Sequence, residues 1–138
     1  MIHIEPEPWA AMVAHARQAY PNECCGAMLG ALEGGHKVVR AALALENAFG
    51  GARAARYLLR PQDLLAAADA ARRRGLDLLG VYHSHPDCDA CFSETDIQNS
   101  CPWYSFVVLS IHNSEFHHAN SWLPDFEQTE AAKEELTY

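Results

Sequence analysis

The sequence predicts an α/β fold built on a mixed central sheet flanked by helices. Three observations predict it. Stretches of helical periodicity interleave with strand-like runs, as crossover connections require. Several of those runs also follow one another across tight turns, at Gly34-Gly35 and Asn113-Ser114, and such neighbours pair antiparallel. The runs 24–32 and 106–109 are apolar without a break, as in strands covered on both faces.

Residues 2–4 read as a short edge strand. Pro6 and Pro8 sit where a first helical turn tolerates proline, and Trp9, Met12, Val13, Ala16 and Tyr20 recur at helical spacing as a core stripe. Pro21 stops that helix. Residues 24–32 form a buried strand, Gly34-Gly35 its turn, and residues 38–45 the return. Glu23 stands at the mouth of the first of these strands, where a lone glutamate is ordinarily a solvated loop end. Residues 46–57 are rich in Ala and Gly without a period, and predict a mobile loop with Gly50-Gly51 at its tip.

Pro61 starts a second helix, with Leu64, Leu65, Ala68 and Ala71 as its apolar face. Arg72, Arg73 and Arg74 fall in its last turn and Gly75 ends it. In the strand over residues 76–85, Leu79, Val81, His83 and His85 share one parity, and Leu78, Gly80 and Tyr82 the other. Residues 86–92 form a loop, 93–100 a short helix, 105–111 a buried strand and 116–122 another, before a polar end over 125–138.

At 138 residues the chain is expected to fold as one domain over its whole length, 1–138. Eighteen acidic against ten basic residues give a net charge of −8, which argues against nucleic acid as a partner. No run reaches the ~20 apolar residues of a membrane span, and residues 1–6 lack the pattern of a signal peptide. Five cysteines, an odd number, then read as reduced thiols in a cytoplasmic protein.

The chemistry gathers in Gly80-Val81-Tyr82-His83-Ser84-His85-Pro86 and continues to Ser93 and Asp96. Side chains alternate along a strand, so His83 and His85 project from one face. Asp96 falls at the start of the short helix. Two imidazoles and one carboxylate leave a fourth tetrahedral position free, the ligand count of a catalytic zinc site rather than a structural one. The pattern His-x-His, seven residues, Ser, two residues, Asp resembles the signature of the JAMM (MPN-plus) zinc metallopeptidases at all four signature positions. Tyr104-Ser105-Phe106 and Ser121-Trp122-Leu123 further resemble the small bacterial stand-alone members.

The resemblance implies the JAMM/MPN fold with its cytidine-deaminase-like core. It implies one zinc per chain on His83, His85 and Asp96, with Glu23 as general base and Ser93 as oxyanion donor. It implies hydrolysis of the amide after the C-terminal glycine of a small ubiquitin-like or sulfur-carrier protein. The family's substrate-holding insertion corresponds to residues 46–57, whose cations are Arg53 and Arg56; a plain surface loop is the other reading. Ser93-x-x-Asp96 is equally a helix-capping signature. Cys88-x-x-Cys91 can be a redox pair, a second metal site or two exposed thiols. His117 and His118 fall on opposite strand faces and are not expected to act as a pair.

Two other functions compete. A non-catalytic MPN scaffold typically loses its ligands, and here all are kept. A zinc nucleoside deaminase would place Pro directly before Cys-x-x-Cys and a His-x-Glu well upstream, whereas Pro86 is separated from Cys88 by Asp87 and abuts His-x-His.

Overall fold

A computed structural model describes residues 1–138. In chain order the elements are β1 (Ile2–Ile4), α1 (Pro6–Ala19), β2 (Cys25–Glu33), β3 (His36–Leu45), α2 (Pro61–Arg73), β4 (Asp77–Pro86), α3 (Glu94–Gln98), β5 (Ser105–His112), β6 (Glu115–Pro124), β7 (Ala131–Glu134) and β8 (Leu136–Thr137). The strands form one sheet in the order β7-β6-β5-β4-β2-β3-β1-β8. Hairpins make β2/β3, β5/β6 and β6/β7 antiparallel, whereas β4/β5, β1/β3 and β1/β8 are parallel. The mixed sheet follows from the alternation of tight turns with crossovers. No helix is long and apolar enough to cross a membrane.

α1 covers one face. Met12 and Ala16 are buried there with Ile2, Ile4, Met28, Tyr82, Val107 and Leu109. α2 covers the other, where Ala67 and Ala71 pack on Ala27 and Leu29. Gly26 lies opposite Tyr82 in the β2/β4 ladder, and a Cβ there would collide with the tyrosine ring. The missing side chain lets Tyr82 cross toward α1, where its hydroxyl meets His15 Nδ1 at 2.7 Å.

Four expectations need correction. Leu65 points to solvent, 71% exposed, because the buried stripe of α2 runs through Ala67 and Ala71. Leu79 packs with Tyr82 rather than with the parity of Val81, because the β2/β4 register shifts between Met28 and Leu29 and leaves Leu79 as an extra residue. The polar end supplies two strands, β7 and β8, separated only by Glu135. β7 pairs with β6 at one edge of the sheet and β8 with β1 at the other, so β1 is not an edge strand.

Candidate metal centre

Tyr82 faces α1, so by alternation His83 and His85 face the other side of β4, beyond the end of α2. The residue between them aligns a third group. Ser84 N donates to Cys24 O at 3.1 Å, and Cys24 N donates to Ser84 Oγ at 2.8 Å. This two-way contact fixes Glu23, one residue before Cys24, level with the two histidines. A carboxylate oxygen of Glu23 and a ring nitrogen each of His83 and His85 lie within 4.8 Å of one another.

Asp96 arrives from α3. Ser93 caps that helix: Asp96 N donates to Ser93 Oγ and Ser93 N donates to Asp96 Oδ2, both at 3.0 Å. The capping box turns the Asp96 carboxylate inward. Its Oδ2 stands 3.4 Å from His83 Nε2 and 3.3 Å from His85 Nε2, and the two Nε2 atoms are 3.1 Å apart. Glu23, His83, His85 and Asp96 are all at least nine-tenths buried.

This triangle fits a metal ion. Ligands about 2.0–2.2 Å from a tetrahedral zinc stand roughly 3.3–3.6 Å from each other. The charge fits as well. Burial keeps His83 neutral, pushing its pKa down despite Asp96. Burial also opposes ionisation of Asp96, but the bonds from His83 and His85 outweigh it and hold the carboxyl well below its usual range. For His85, burial is outweighed by the Asp96 bond and the Asp89 carbonyl, and the pKa rises. A buried carboxylate facing two imidazole nitrogens draws positive charge to the centre. His85 Nδ1–H donates to Asp89 O at 2.9 Å, which turns Nε2 toward the triangle, where an ion would replace the proton that it shares with Asp96. His83 Nδ1 is buried without a hydrogen-bond partner.

The Glu23 carboxyl sits in a different regime. Burial pushes it from 4.5 up to about 7, with His85 opposing and Asp96 adding to the rise. A carboxyl of that pKa both takes and returns a proton near neutrality.

A cleft of about 490 Å³ opens beside the centre, lined by Glu23, His85, Ser93 and Asp96 together with Arg56, Tyr57, Cys88 and Cys91. Ser93 Oγ accepts the helix bond, and its O–H is left to donate. Cys88 and Cys91 are free, exposed thiols. The structure separates the two arginines. Arg56 faces the cleft, whereas Arg53 lines another hollow with Asn22 and Asn47, its guanidinium on Phe49 O.

Sequence reasoning missed five contributors. Tyr57 stacks on His83, ring centroids 4.4 Å apart and planes inclined by 25°. Asn47 organises the loop before it, donating to Glu23 O and Arg56 O and accepting from Phe49 N and Leu58 N. Ser84, the unspecified position of His-x-His, ties β4 to Cys24. His118 and His117, expected on opposite faces, have their Nδ1 atoms 2.7 Å apart. Ser110 pairs with His118 and Ile111 with Phe116, so His117 is the extra residue of a bulge that carries both rings to one side.

Residues 6–124 match the family described as prokaryotic homologs of the JAB domain, and the chain belongs to that family. Among individual proteins it is similar to the desampylase of Haloferax volcanii, 32% identical over 105 residues that cover 72% of this chain and 73% of the relative. It is similar to a Thermus thermophilus protein named "Probable TtuB-protein conjugate cleaving protease", 37% identical over 96 residues, 70% of this chain and 61% of the relative. The solution structure of a Desulfitobacterium hafniense protein superposes with a TM-score of 0.85 at 29% identity, covering 99% of this chain and 91% of the other. A JAB1/MPN domain protein of Archaeoglobus fulgidus shares the fold, with a TM-score of 0.59 at 14% identity over the full length of both.

Proposed function

We propose that this protein is a zinc-dependent hydrolase that cleaves the amide bond after the C-terminal glycine of a small ubiquitin-like or sulfur-carrier protein. The observation that carries the reading is the triangle of His83 Nε2, His85 Nε2 and Asp96 Oδ2, 3.1–3.4 Å on each side, with Glu23 beside it. His83, His85 and Asp96 would hold the ion; when bound it polarises the scissile carbonyl and acidifies a water. Glu23 accepts the water's proton and returns it to the leaving amine, a task suited to a carboxyl of pKa about 7. Ser93 O–H donates to the oxygen on which charge develops. Arg56 faces the approaching chain. The names of the two relatives support a ubiquitin-like conjugate as substrate. Five unpaired cysteines suit a reducing cytoplasm. One domain spans residues 1–138 in this reading.

The test is incubation of zinc-loaded protein with a panel of ubiquitin-fold proteins extended past their terminal glycines, read by mass spectrometry. The expected result is loss of the extension from one or more of them, abolished in Asp96→Asn, which keeps an acceptor for the α3 cap but removes the charge. An untouched panel, or undiminished cleavage by Asp96→Asn, overturns the reading.

A further inference from the structure

We infer that His118 is a positioning residue for His85, acting across the single peptide group that joins Asp89 to Ala90. This rests on His85 being a metal ligand. The carbonyl of that peptide accepts the His85 Nδ1–H at 2.9 Å. Its N–H, carried by Ala90, donates to His118 Nε2 at 3.0 Å. In a trans peptide these two groups point in opposite directions, so the plane cannot turn without breaking both bonds.

The acceptor role of His118 Nε2 fixes its neutral tautomer: the proton is on Nδ1, which donates to His117 Nδ1 at 2.7 Å. The chain of donors therefore runs from the His85 ring through the 89–90 peptide to His118 and on to His117. Each bond polarises the next, strengthening the hold on His85 Nδ1–H. The following peptide is clamped too, because Ala90 O accepts from Asn120 Nδ2 at 3.1 Å and Trp122 Nε1 at 3.0 Å. Ala90 is fully buried under these contacts. β6 thus holds the loop from outside, and the bulge at His117 makes this possible. With the peptide fixed, His85 keeps its proton on Nδ1 and turns Nε2, the atom that would hold the ion, toward His83 and Asp96. Without it, the ring can take the other tautomer and lose its lone pair on that side.

The experiment compares wild type, His118→Leu, His118→Gln and His117→Ala. Zinc affinity is measured by competition with a chromophoric chelator, and the His85 tautomer by ring ¹⁵N shifts in metal-free protein at a pH where the ring is neutral. His118→Leu is expected to bind zinc about 10–100-fold more weakly and to show a tautomer mixture at His85. His118→Gln, whose side-chain oxygen can accept from Ala90 N, is expected to restore both, and His117→Ala to leave zinc affinity nearly unchanged. If His118→Leu does not fold, His118→Phe is read in its place. Wild-type affinity and tautomer in the apolar variant, or a glutamine variant no better than it, overturns the inference. If His85→Ala binds zinc like wild type, the metal reading fails instead, while the tautomer measurement still decides the relay.

Discussion

Tyr57 lies flat on His83, with ring centroids 4.4 Å apart, and so joins the end of the irregular segment 46–57 to the floor of the metal centre. Burial, with Asp96 adding, raises its hydroxyl pKa well above the usual value, so it stays neutral. The ring is a lid on His83 rather than a titrating group. Tyr57→Phe is expected to keep metal affinity, and Tyr57→Ala to lose metal faster to a chelator and to unfold about 1–3 kcal/mol more easily. Equal loss rates in the two variants would show that the ring does not shelter His83.

Glu23 sets a pH dependence whose sign follows from burial. The folded carboxyl holds its proton up to about 7 against an ordinary 4.5, so the folded state binds more protons between these values and stability falls as pH rises through them. Glu23→Gln removes that penalty, and metal-free Glu23→Gln is expected to be more stable than wild type at pH 8 by about 1–3 kcal/mol. The same variant is expected to lose about 10²–10⁴-fold in turnover while binding zinc, because an amide takes no proton. A bound dication favours the carboxylate, so in the zinc-loaded protein the rate is expected to climb with pH below about 7, as Glu23 ionises. A profile flat across that range would remove Glu23 from the base role.

Ser93 carries two separable duties. Ser93→Ala is expected to cost about 1 kcal/mol through the lost cap and about 10²–10³-fold in kcat through the lost donor. Ser93→Asp, a good capping residue without a donor, is expected to regain the stability and none of the rate. Rate recovering with stability would mean that the serine serves the helix alone.

The two loop arginines divide. Arg56→Ala, in the cleft, is expected to raise KM several-fold with zinc retained, whereas Arg53→Ala, whose guanidinium lies outside it, is expected to leave KM unchanged. Valines in place of the substrate's terminal glycines are expected to slow turnover, since a narrow approach favours a tail without Cβ atoms. Equal effects of the two arginine variants, or equal rates on both tails, would redraw the substrate path.

The candidate site was legible where its residues are local. His83, His85 and Asp96 fall within one strand, one loop and one helical turn, so alternation and capping nearly fix their directions. Glu23 came from family resemblance, since nothing in its own neighbours says that Ser84 will grip Cys24 from another strand. Both bulges were invisible for the same reason. An inserted residue at Leu79 or His117 reverses the alternation, and the partner strand decides where it occurs. Strands β7 and β8 lack apolar alternation because main-chain pairing, not side-chain burial, defines them. Leu64 and Leu65 each fit a helical stripe in the sequence, and only the sheet beneath selects between them, leaving Leu65 in solvent.

The segment β7–β8 meets both margins of the sheet, and His3 Nδ1 reaches Thr137 Oγ1 at 2.7 Å across a sequence separation of 134 residues. Such a contact can form only once the chain has been synthesised as far as residue 137. A nascent polypeptide halted at residue 130 therefore carries two bare margins, at β6 and at β1, each able to recruit another chain. Completion of the sheet therefore waits for residues 131–137, and so does the protection of this protein against pairing with its own copies.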